Sequence, residues 1–245
     1  MYHGTGKKND MNRNKQYKKY SIYGILVVLL FTSAVVITNY VIDKQTLVPM
    51  TKLKVGLIDG SVKASLPQFY DTKVISKNFV SNATQVDEEH GTAVAYTIMK
   101  HSPLAKVDTL YSASVMENGF VSQDKLLQAL NWFEEKHVSL INISLNMPRP
   151  TKEIKNKLTQ LTKNGAVIVL SMGNNNYFKN EPLKIKGVVQ VGTQKEYAVV
   201  EKIKPIQSID LSGAKKKYEG ISFNTARQTG RYVSEWYSYK NIRLP

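Results

Sequence analysis

The sequence predicts an α/β domain of three layers, α/β/α, with a mainly parallel sheet, preceded by one transmembrane helix. From residue 53 onward, short apolar runs typical of buried strands alternate with longer segments of helical periodicity. This order favours βαβ units and a parallel sheet. Upstream, residues 21–42 contain no charged side chain, and about 20 apolar residues suffice to cross the hydrocarbon core of a bilayer.

The first 20 residues are polar and basic, with six Lys or Arg against one acidic residue. Such a composition predicts a disordered tail. Because this cluster precedes the span and only Asp43 and Lys44 follow it closely, the tail is expected in the cytoplasm and the main domain outside the cell. A cleaved signal peptide, processed near Ser33-Ala34, is the alternative. The apolar run continues to Val41, so we favour a retained anchor in the cell membrane.

The composition limits the kinds of site that the chain can hold. Its net charge is +15, and the run Lys215-Lys216-Lys217 has no aromatic or Arg-rich surface beside it, so we interpret that run as a solvated loop rather than a nucleic-acid site. The chain has no cysteine, which excludes disulfides, thiolate metal sites and a cysteine nucleophile. No oxygen-rich loop requires a metal ion, and no cofactor is predicted.

A linker at residues 43–52 leads into the domain, which is assigned to residues 53–245. Its first strand is predicted at residues 54–60, and Asp59 then lies at the carboxyl edge of the sheet, where α/β folds present their sites. The small residues after His90 predict that a helix begins there, with the imidazole at its N-terminus. Further strands are predicted at 107–111, 138–145, 166–170, 187–192 and 198–203, and helices at 123–136, 151–163 and 222–239.

Four polar residues fall at strand ends or helix starts, namely Asp59, His90, Asn174 and Ser222. Individually, each has a plainer interpretation as a cap or a turn residue. Together their chemistry is complementary: a serine hydroxyl needs an imidazole to accept its proton, and the imidazole needs a carboxylate to fix its tautomer. An Asn amide and a backbone N–H at a helix N-terminus can both stabilise an oxyanion.

The local sequences around these residues form five motifs, spread over roughly residues 53–240. The motifs are Val55-Gly56-Leu57-Ile58-Asp59, His90-Gly91-Thr92-Ala93-Val94-Ala95, Ile141-Asn142-Ile143-Ser144-Leu145, Gly165-Ala166-Val167-Ile168-Val169-Leu170-Ser171-Met172-Gly173-Asn174 and Gly220-Ile221-Ser222. In content and order they resemble the motifs of the subtilisin-like serine proteases, the subtilases or peptidase family S8. Asp, His and then Ser is also the chain order of the subtilisin triad.

The resemblance implies a role for each of the four residues. Ser222 would be the nucleophile, His90 the general base and then acid, and Asp59 the partner that orients the imidazole. Asn174 and the Ser222 backbone N–H would form the oxyanion hole. The residues implied to line the substrate cleft are Ser144, Leu145 and Asn146.

Some residues depart from the family's usual pattern. Ala93 stands where a second histidine is usual, Tyr96 replaces a glycine of the same helix, and Ile221 replaces the threonine before the serine. Asn146 follows Ser144-Leu145 where a glycine commonly lines the cleft. These changes predict an altered, narrower pocket with all triad groups retained.

The function implied by the resemblance is that of a membrane-anchored, extracytoplasmic serine endopeptidase that processes an exported peptide or protein precursor. Its expected partners are a peptide or protein substrate and, through residues 21–42, the lipid bilayer. The alternative is a catalytically degenerate subtilase fold that binds or regulates at the membrane, motivated by Ile221 and Tyr96. Nucleic-acid binding is disfavoured because the basic surface would lie outside the cell.

Overall fold

The chain divides into two units, Met1–Thr51 and Lys52–Pro245. The structure is a computed structural model, which describes residues 53–82, 84–102, 107–147, 149–173, 182–193, 199–200, 209–210 and 215–238. The predicted tail, transmembrane helix and linker therefore lie outside the described residues. In the ranges just given, no helix is both long and apolar enough to cross a membrane.

Strands and helices are interspersed along the described part of the domain, and a turn of 3₁₀ helix occupies Pro67–Phe69. The strands are β1 (Lys54–Asp59), β2 (Lys73–Asn78), β3 (Thr109–Ser114), β4 (Met116–Glu117), β5 (Phe120–Val121), β6 (Leu140–Ile143), β7 (Val167–Ser171), β8 (Val188–Gly192), β9 (Val199–Val200), β10 (Ile209–Asp210) and β11 (Lys215–Lys216). The helices are α1 (Gln85–Lys100), α2 (Gln123–Glu135), α3 (Lys152–Lys163) and α4 (Ile221–Ser238).

The main sheet has the strand order β2-β3-β1-β6-β7-β8-β9. Its described strand pairs are all parallel, which confirms the predicted mainly parallel sheet. From β1 the chain first builds the β3–β2 side of the sheet and then crosses to β6 and the opposite side. The boundary between β1 and β6 is therefore a topological switch point, where a crevice forms at the carboxyl ends of the strands.

Helices cover both faces of this sheet, which confirms the α/β/α layers. Val55 and Leu57 of β1 face a core shared with α1 and α4, whereas Ile58 faces a second core shared with α2 and α3. Side chains alternate between the two faces of a strand, so β1 is apolar on both sides. The helix partners include Val94, Ile98 and Val233 in the first core and Leu126, Leu130, Phe133, Ile154 and Leu158 in the second.

Helix α1 begins earlier than the sequence pattern predicts. Thr84 is its N-cap and forms a capping box with Asp87: the Thr84 hydroxyl accepts from the Asp87 N–H at 3.3 Å, and the Thr84 N–H donates to Asp87 Oδ2 at 3.0 Å. These bonds satisfy backbone donors of the first turn, which fixes the start at Gln85. The prediction that His90 lies at the helix N-terminus is therefore wrong, since it lies in the second turn.

Three strand features escaped prediction, namely the edge strand β2 and the two short antiparallel pairs β4–β5 and β10–β11. The edge strand β2 reads Lys-Val-Ile-Ser-Lys-Asn, and none of its residues is fully buried, so it lacks the apolar run that marks a central strand. The hairpin β4–β5 has only two residues in each strand. It turns through Asn118 and Gly119, both with positive φ, which Asn and Gly tolerate.

Candidate active site

Asp59 ends strand β1 at the switch point and is fully buried. Its Oδ1 accepts the Gly60 N–H at 2.7 Å and lies 2.6 Å from His90 Nδ1. Among the described residues, Oδ2 is buried and has no hydrogen-bond partner. The carboxylate therefore directs one oxygen at the imidazole of His90.

Two glycines allow α1 to approach the end of β1 closely enough for this contact. A Cβ on Gly60 would lie 1.8 Å from the Asp87 carbonyl oxygen, and a Cβ on Gly91 would lie 2.4 Å from the Gly60 carbonyl oxygen. Any side chain at either position would push helix and strand apart. The close backbone contact is thus what places His90 beside Asp59.

The environment of His90 favours its charged form. The negative charge of Asp59 is the largest influence and raises the pKa of His90 above 6.5; burial opposes this, while the Asp59 hydrogen bond and the charge of Asp87 add to it. With Nδ1 donating its proton to the carboxylate, Nε2 of the neutral imidazole is left with a lone pair. His90 can then accept a proton through Nε2, and its side chain is 28% exposed.

Ser222 is the second residue of α4 and lies beside the residue that follows β6. Its hydroxyl donates to the Ser144 carbonyl oxygen at 2.9 Å, and the Ser144 hydroxyl donates to the Ser222 carbonyl oxygen, also at 2.9 Å. This reciprocal pair holds the start of α4 at the carboxyl edge of the sheet. Because a serine hydroxyl has one hydrogen to donate, the Ser222 proton is engaged by the Ser144 carbonyl in this conformation.

A buried polar network supports this pair. The Asn142 amide donates to the Ser144 hydroxyl oxygen at 2.8 Å and accepts from the Thr229 hydroxyl at 2.8 Å. Asn142, Ser144 and Thr229 are each at most 2% exposed, so the network links β6 to α4 out of contact with water. Ile221, which departs from the family pattern, is fully buried in the core under this helix start.

The predicted cleft residues follow β6 and differ in exposure. Ser144 and Leu145 are buried, whereas Asn146 is exposed. The Asn146 amide lies against Gly173, where a Cβ would be 2.9 Å from its Oδ1, and Gly173 has a φ of +86°. This brings the end of β7 to the segment after β6. Asn174, the predicted oxyanion donor, lies outside the described residues, and the narrower pocket remains a prediction.

Contacts around the site include residues that sequence reasoning left unassigned. Glu89 accepts hydrogen bonds from the Tyr218 hydroxyl and, at 2.7 Å, from Lys216. Lys216 and Lys217 are exposed, as expected for a solvated segment, but Lys215 and Lys216 form strand β11 rather than a loop. The separation of 129 residues between Glu89 and Tyr218 explains why no local pattern revealed the contact.

Asp87 also joins the site to the hairpin β4–β5. Its two carboxylate oxygens accept the backbone N–H groups of Asn118 and Gly119, each at 3.0 Å. Burial alone would raise the pKa of Asp87, but the hydrogen bonds from the Thr84 backbone and hydroxyl, and then those from Gly119 and Asn118, lower it overall, so the carboxylate stays charged. The Thr-x-x-Asp spacing from Thr84 is the signal that would have indicated the helix start.

In the part of the chain that the structure describes, no group of three or more His, Cys, Asp or Glu could hold a metal ion.

Comparison with known proteins decides the family. The model of the subtilase family, Peptidase_S8, matches residues 50–235. The chain belongs to the subtilase family. The prediction from the sequence motifs is therefore confirmed, and the family supports the assignment to serine endopeptidases.

One curated subtilase relative is the major intracellular serine protease of Bacillus subtilis (strain 168), which is 26% identical over 136 residues. The match covers 50% of this chain and 43% of the relative, so it spans less than half of that protein.

Solved structures with the same fold include three proteases. A cold-adapted subtilisin-like serine proteinase has a TM-score of 0.58 at 18% identity, covering 76% of both chains. A point mutant of the protease domain of PatA has a TM-score of 0.56 at 17% sequence identity, covering 77% of this chain and 81% of that one. The prenylagaramide maturation protease PagA has a TM-score of 0.53 at 19% sequence identity, covering 75% of this chain and 74% of that one. At these identities the likeness establishes the subtilisin-like fold.

Proposed function

We propose that this subtilase is a serine endopeptidase in which Ser222, His90 and Asp59 cleave peptide bonds. The observation that carries the proposal is the 2.6 Å contact between His90 Nδ1 and the buried Asp59 carboxylate at the sheet's switch point. A buried carboxylate on Nδ1 fixes the tautomer that leaves Nε2 as the base. Ser222 lies in the first turn of helix α4 at the same edge of the sheet.

The reaction begins when the Ser222 hydroxyl turns from the Ser144 carbonyl towards His90. Oγ attacks the carbonyl carbon of the substrate while its proton passes to Nε2, and Asp59 stabilises the resulting imidazolium. His90 then gives that proton to the amine nitrogen as the C–N bond breaks, which leaves an acyl-serine. Water attacks this ester with His90 again as the base, and Ser222 regains its proton.

The oxyanion formed in both attacks needs donors that are already in place. In the proposal these are the Asn174 amide and the Ser222 backbone N–H. Ser222 is the second residue of α4, so its N–H is one of the first-turn donors that have no partner within the helix. The positive end of the helix dipole favours a negative charge at the same place.

The experiment for the peptidase proposal uses the full-length chain in detergent and a mixture of synthetic peptides. Mass spectrometry should detect internal cleavage products with the wild-type chain and none with Ser222→Ala. If the folded wild-type chain cleaves no peptide, or if Ser222→Ala cleaves at the same rate, the proposal fails.

We further propose that residues 21–42 anchor the peptidase in the cell membrane and that the domain at 53–245 acts outside the cell. The basic tail before a charge-free apolar segment supports this orientation. An anchored peptidase meets chains as they leave the membrane, so exported peptide or protein precursors are the proposed substrates. One structural neighbour, PagA, is named a maturation protease, which is a reason to include precursors in the assays.

Two measurements test location. Mass spectrometry of the mature N-terminus separates a retained anchor from a signal peptide cleaved near Ser33-Ala34. Protease added to intact cells should digest the domain while leaving the basic tail protected. Protection of the domain in intact cells would contradict the proposed orientation.

A second candidate function is that of a subtilase fold that binds without cleaving. The observation in its favour is that the Ser222 hydroxyl donates to the Ser144 carbonyl, so the nucleophile is not poised in this conformation. For this candidate, Ser222→Ala should leave the cellular phenotype of the wild type unchanged. Loss of that phenotype in Ser222→Ala would instead support the peptidase.

A further inference from the structure

The chain that leads into Ser222 is tied to the His90 helix by one carboxylate. After β11, residues 217–219 have no regular secondary structure before α4 begins, so side-chain contacts matter for where the nucleophile lies. Tyr218 donates its hydroxyl hydrogen to Glu89 Oε1, and Lys216 Nζ lies 2.7 Å from the same oxygen. Glu89 is the residue immediately before His90. These contacts therefore link the segment that leads into Ser222 directly to the helix that carries His90.

An aromatic side chain completes a closed set of contacts. The Phe223 ring lies 5.5 Å from the His90 ring and 5.5 Å from the Tyr218 ring, measured between centroids. Phe223 is 3% exposed and directly follows Ser222. A shift of the Tyr218 ring would thus disturb Phe223. Phe223 packs against the His90 imidazole and is the residue after Ser222, so the shift would alter the placement of both.

The protonation states of Tyr218 and Glu89 favour the hydrogen bond between them. Burial, and then the hydrogen bond and charge of Glu89, raise the pKa of Tyr218 well above its usual value, so the hydroxyl remains a donor. The hydrogen bond from Lys216 is the largest influence that lowers the pKa of Glu89, followed by that from Tyr218, so the carboxylate remains an acceptor. A hydrogen bond to a charged group is stronger than one between neutral partners.

We propose that Glu89 is a positioning residue which, through Tyr218 and Phe223, sets the placement of Ser222 relative to His90. The inference rests on the proposed function, in which these two residues transfer a proton. Rates of such steps are sensitive to geometry, and a displacement of about 1 Å can cost about 100-fold. Glu89 therefore affects the chemical step, while binding at the cleft after β6 is unaffected.

The test measures covalent labelling of Ser222 in the full-length chain by a fluorophosphonate, which separates probe affinity from the maximal labelling rate. Tyr218→Phe removes the hydroxyl and keeps the ring, and Glu89→Gln keeps an acceptor oxygen without the charge. We expect the maximal rate to fall about 10- to 100-fold in Tyr218→Phe and Glu89→Ala, and less in Glu89→Gln, at unchanged probe affinity. The matched control is Glu88→Gln, which alters the neighbouring acid.

The outcomes separate this inference from the proposed function. Wild-type labelling together with equal rates in Tyr218→Phe and Glu88→Gln would overturn the positioning role and leave the peptidase intact. A loss of probe affinity at an unchanged maximal rate would overturn it in favour of a substrate contact. Failure of the folded wild-type chain to label would instead overturn the proposed function. Thermal unfolding of each variant identifies losses that come from unfolding, and Tyr218→Phe then decides the inference because it changes one atom.

Discussion

Ser144 and Ser222 exchange hydrogen bonds, each hydroxyl donating to the other residue's backbone carbonyl at 2.9 Å. The pair joins the end of β6 to the start of α4, so it fixes Ser222 at the sheet's switch point. It also engages the Ser222 hydroxyl hydrogen, which the proposed mechanism transfers to His90. The proposed mechanism therefore requires the Ser222 side chain to rotate away from the Ser144 carbonyl before it can react.

Ser144→Ala should destabilise the domain, because it removes the acceptor of the buried Asn142 amide as well as the bond to Ser222. A buried donor left without a partner costs about 1–3 kcal/mol. Chemical denaturation of the full-length chain measures the loss. The exposed Ser81→Ala is the control and should change the free energy of unfolding by less than about 0.5 kcal/mol. Equal stabilities of the two variants would contradict the role given to the network.

Asp59→Asn should lower the fluorophosphonate labelling rate by about 10⁴, because the amide no longer fixes the productive tautomer of His90. The pH dependence has a definite sign. The charge of Asp59 raises the pKa of His90 above 6.5, so the wild-type rate should rise with pH through a midpoint above 6.5. In Asp59→Asn the remaining activity should have its midpoint at lower pH.

The exposed Asp124→Asn is the matched control for charge and should leave both the labelling rate and its midpoint unchanged. A wild-type midpoint below 6.5, or one that Asp59→Asn does not lower, would mean that Asp59 does not govern the ionisation of His90.

Asn174→Ala should lower turnover about 10²–10³-fold with little change in KM, which is the loss found when the oxyanion-hole asparagine of subtilisin is removed. The prediction rests on the sequence motif at 165–174, since Asn174 lies outside the described residues. Asn175→Ala, which changes the next residue of the same Asn-rich sequence, should retain most of the activity. Similar losses in both variants would indicate that the segment matters for folding rather than for oxyanion binding.

Gly60→Ala should separate α1 from β1, because its Cβ would lie 1.8 Å from the Asp87 carbonyl oxygen. We expect a loss of about 3 kcal/mol or more in the free energy of unfolding. Gly165→Ala is the control: its φ is +93° but nothing lies within 4 Å of the added Cβ, so it should cost only about 1–2 kcal/mol. Comparable costs would show that the close approach at Gly60 is not required.

The central strands and most helices were predictable because their residues carry the pattern themselves. Strand β1 is apolar on both faces, and α3 begins and ends within one residue of the predicted segment 151–163. By contrast, β2 is a polar edge strand whose position depends on pairing with β3. Its register comes from a partner distant in sequence, so local composition could not reveal it.

The candidate site likewise combines residues that local sequence motifs identify with contacts that only the structure shows. Asp59, His90 and Ser222 were selected from short motifs, and the structure brings Asp59 and His90 into contact. The Glu89–Tyr218 contact joins residues 129 positions apart, and each residue alone has no distinctive neighbourhood. The sequence motifs therefore identify the groups proposed to react, whereas the contacts between their segments appear only when α1 and the chain leading into α4 pack together.

The most direct test of the central claim is to identify the residue that a fluorophosphonate modifies in the folded full-length chain. The account predicts one adduct, located by tandem mass spectrometry at Ser222, which is absent from Ser222→Ala and formed far more slowly in His90→Ala. A folded wild-type chain that forms no adduct at Ser222, or one whose labelling persists unchanged in Ser222→Ala, would contradict the assignment of Ser222 as the nucleophile.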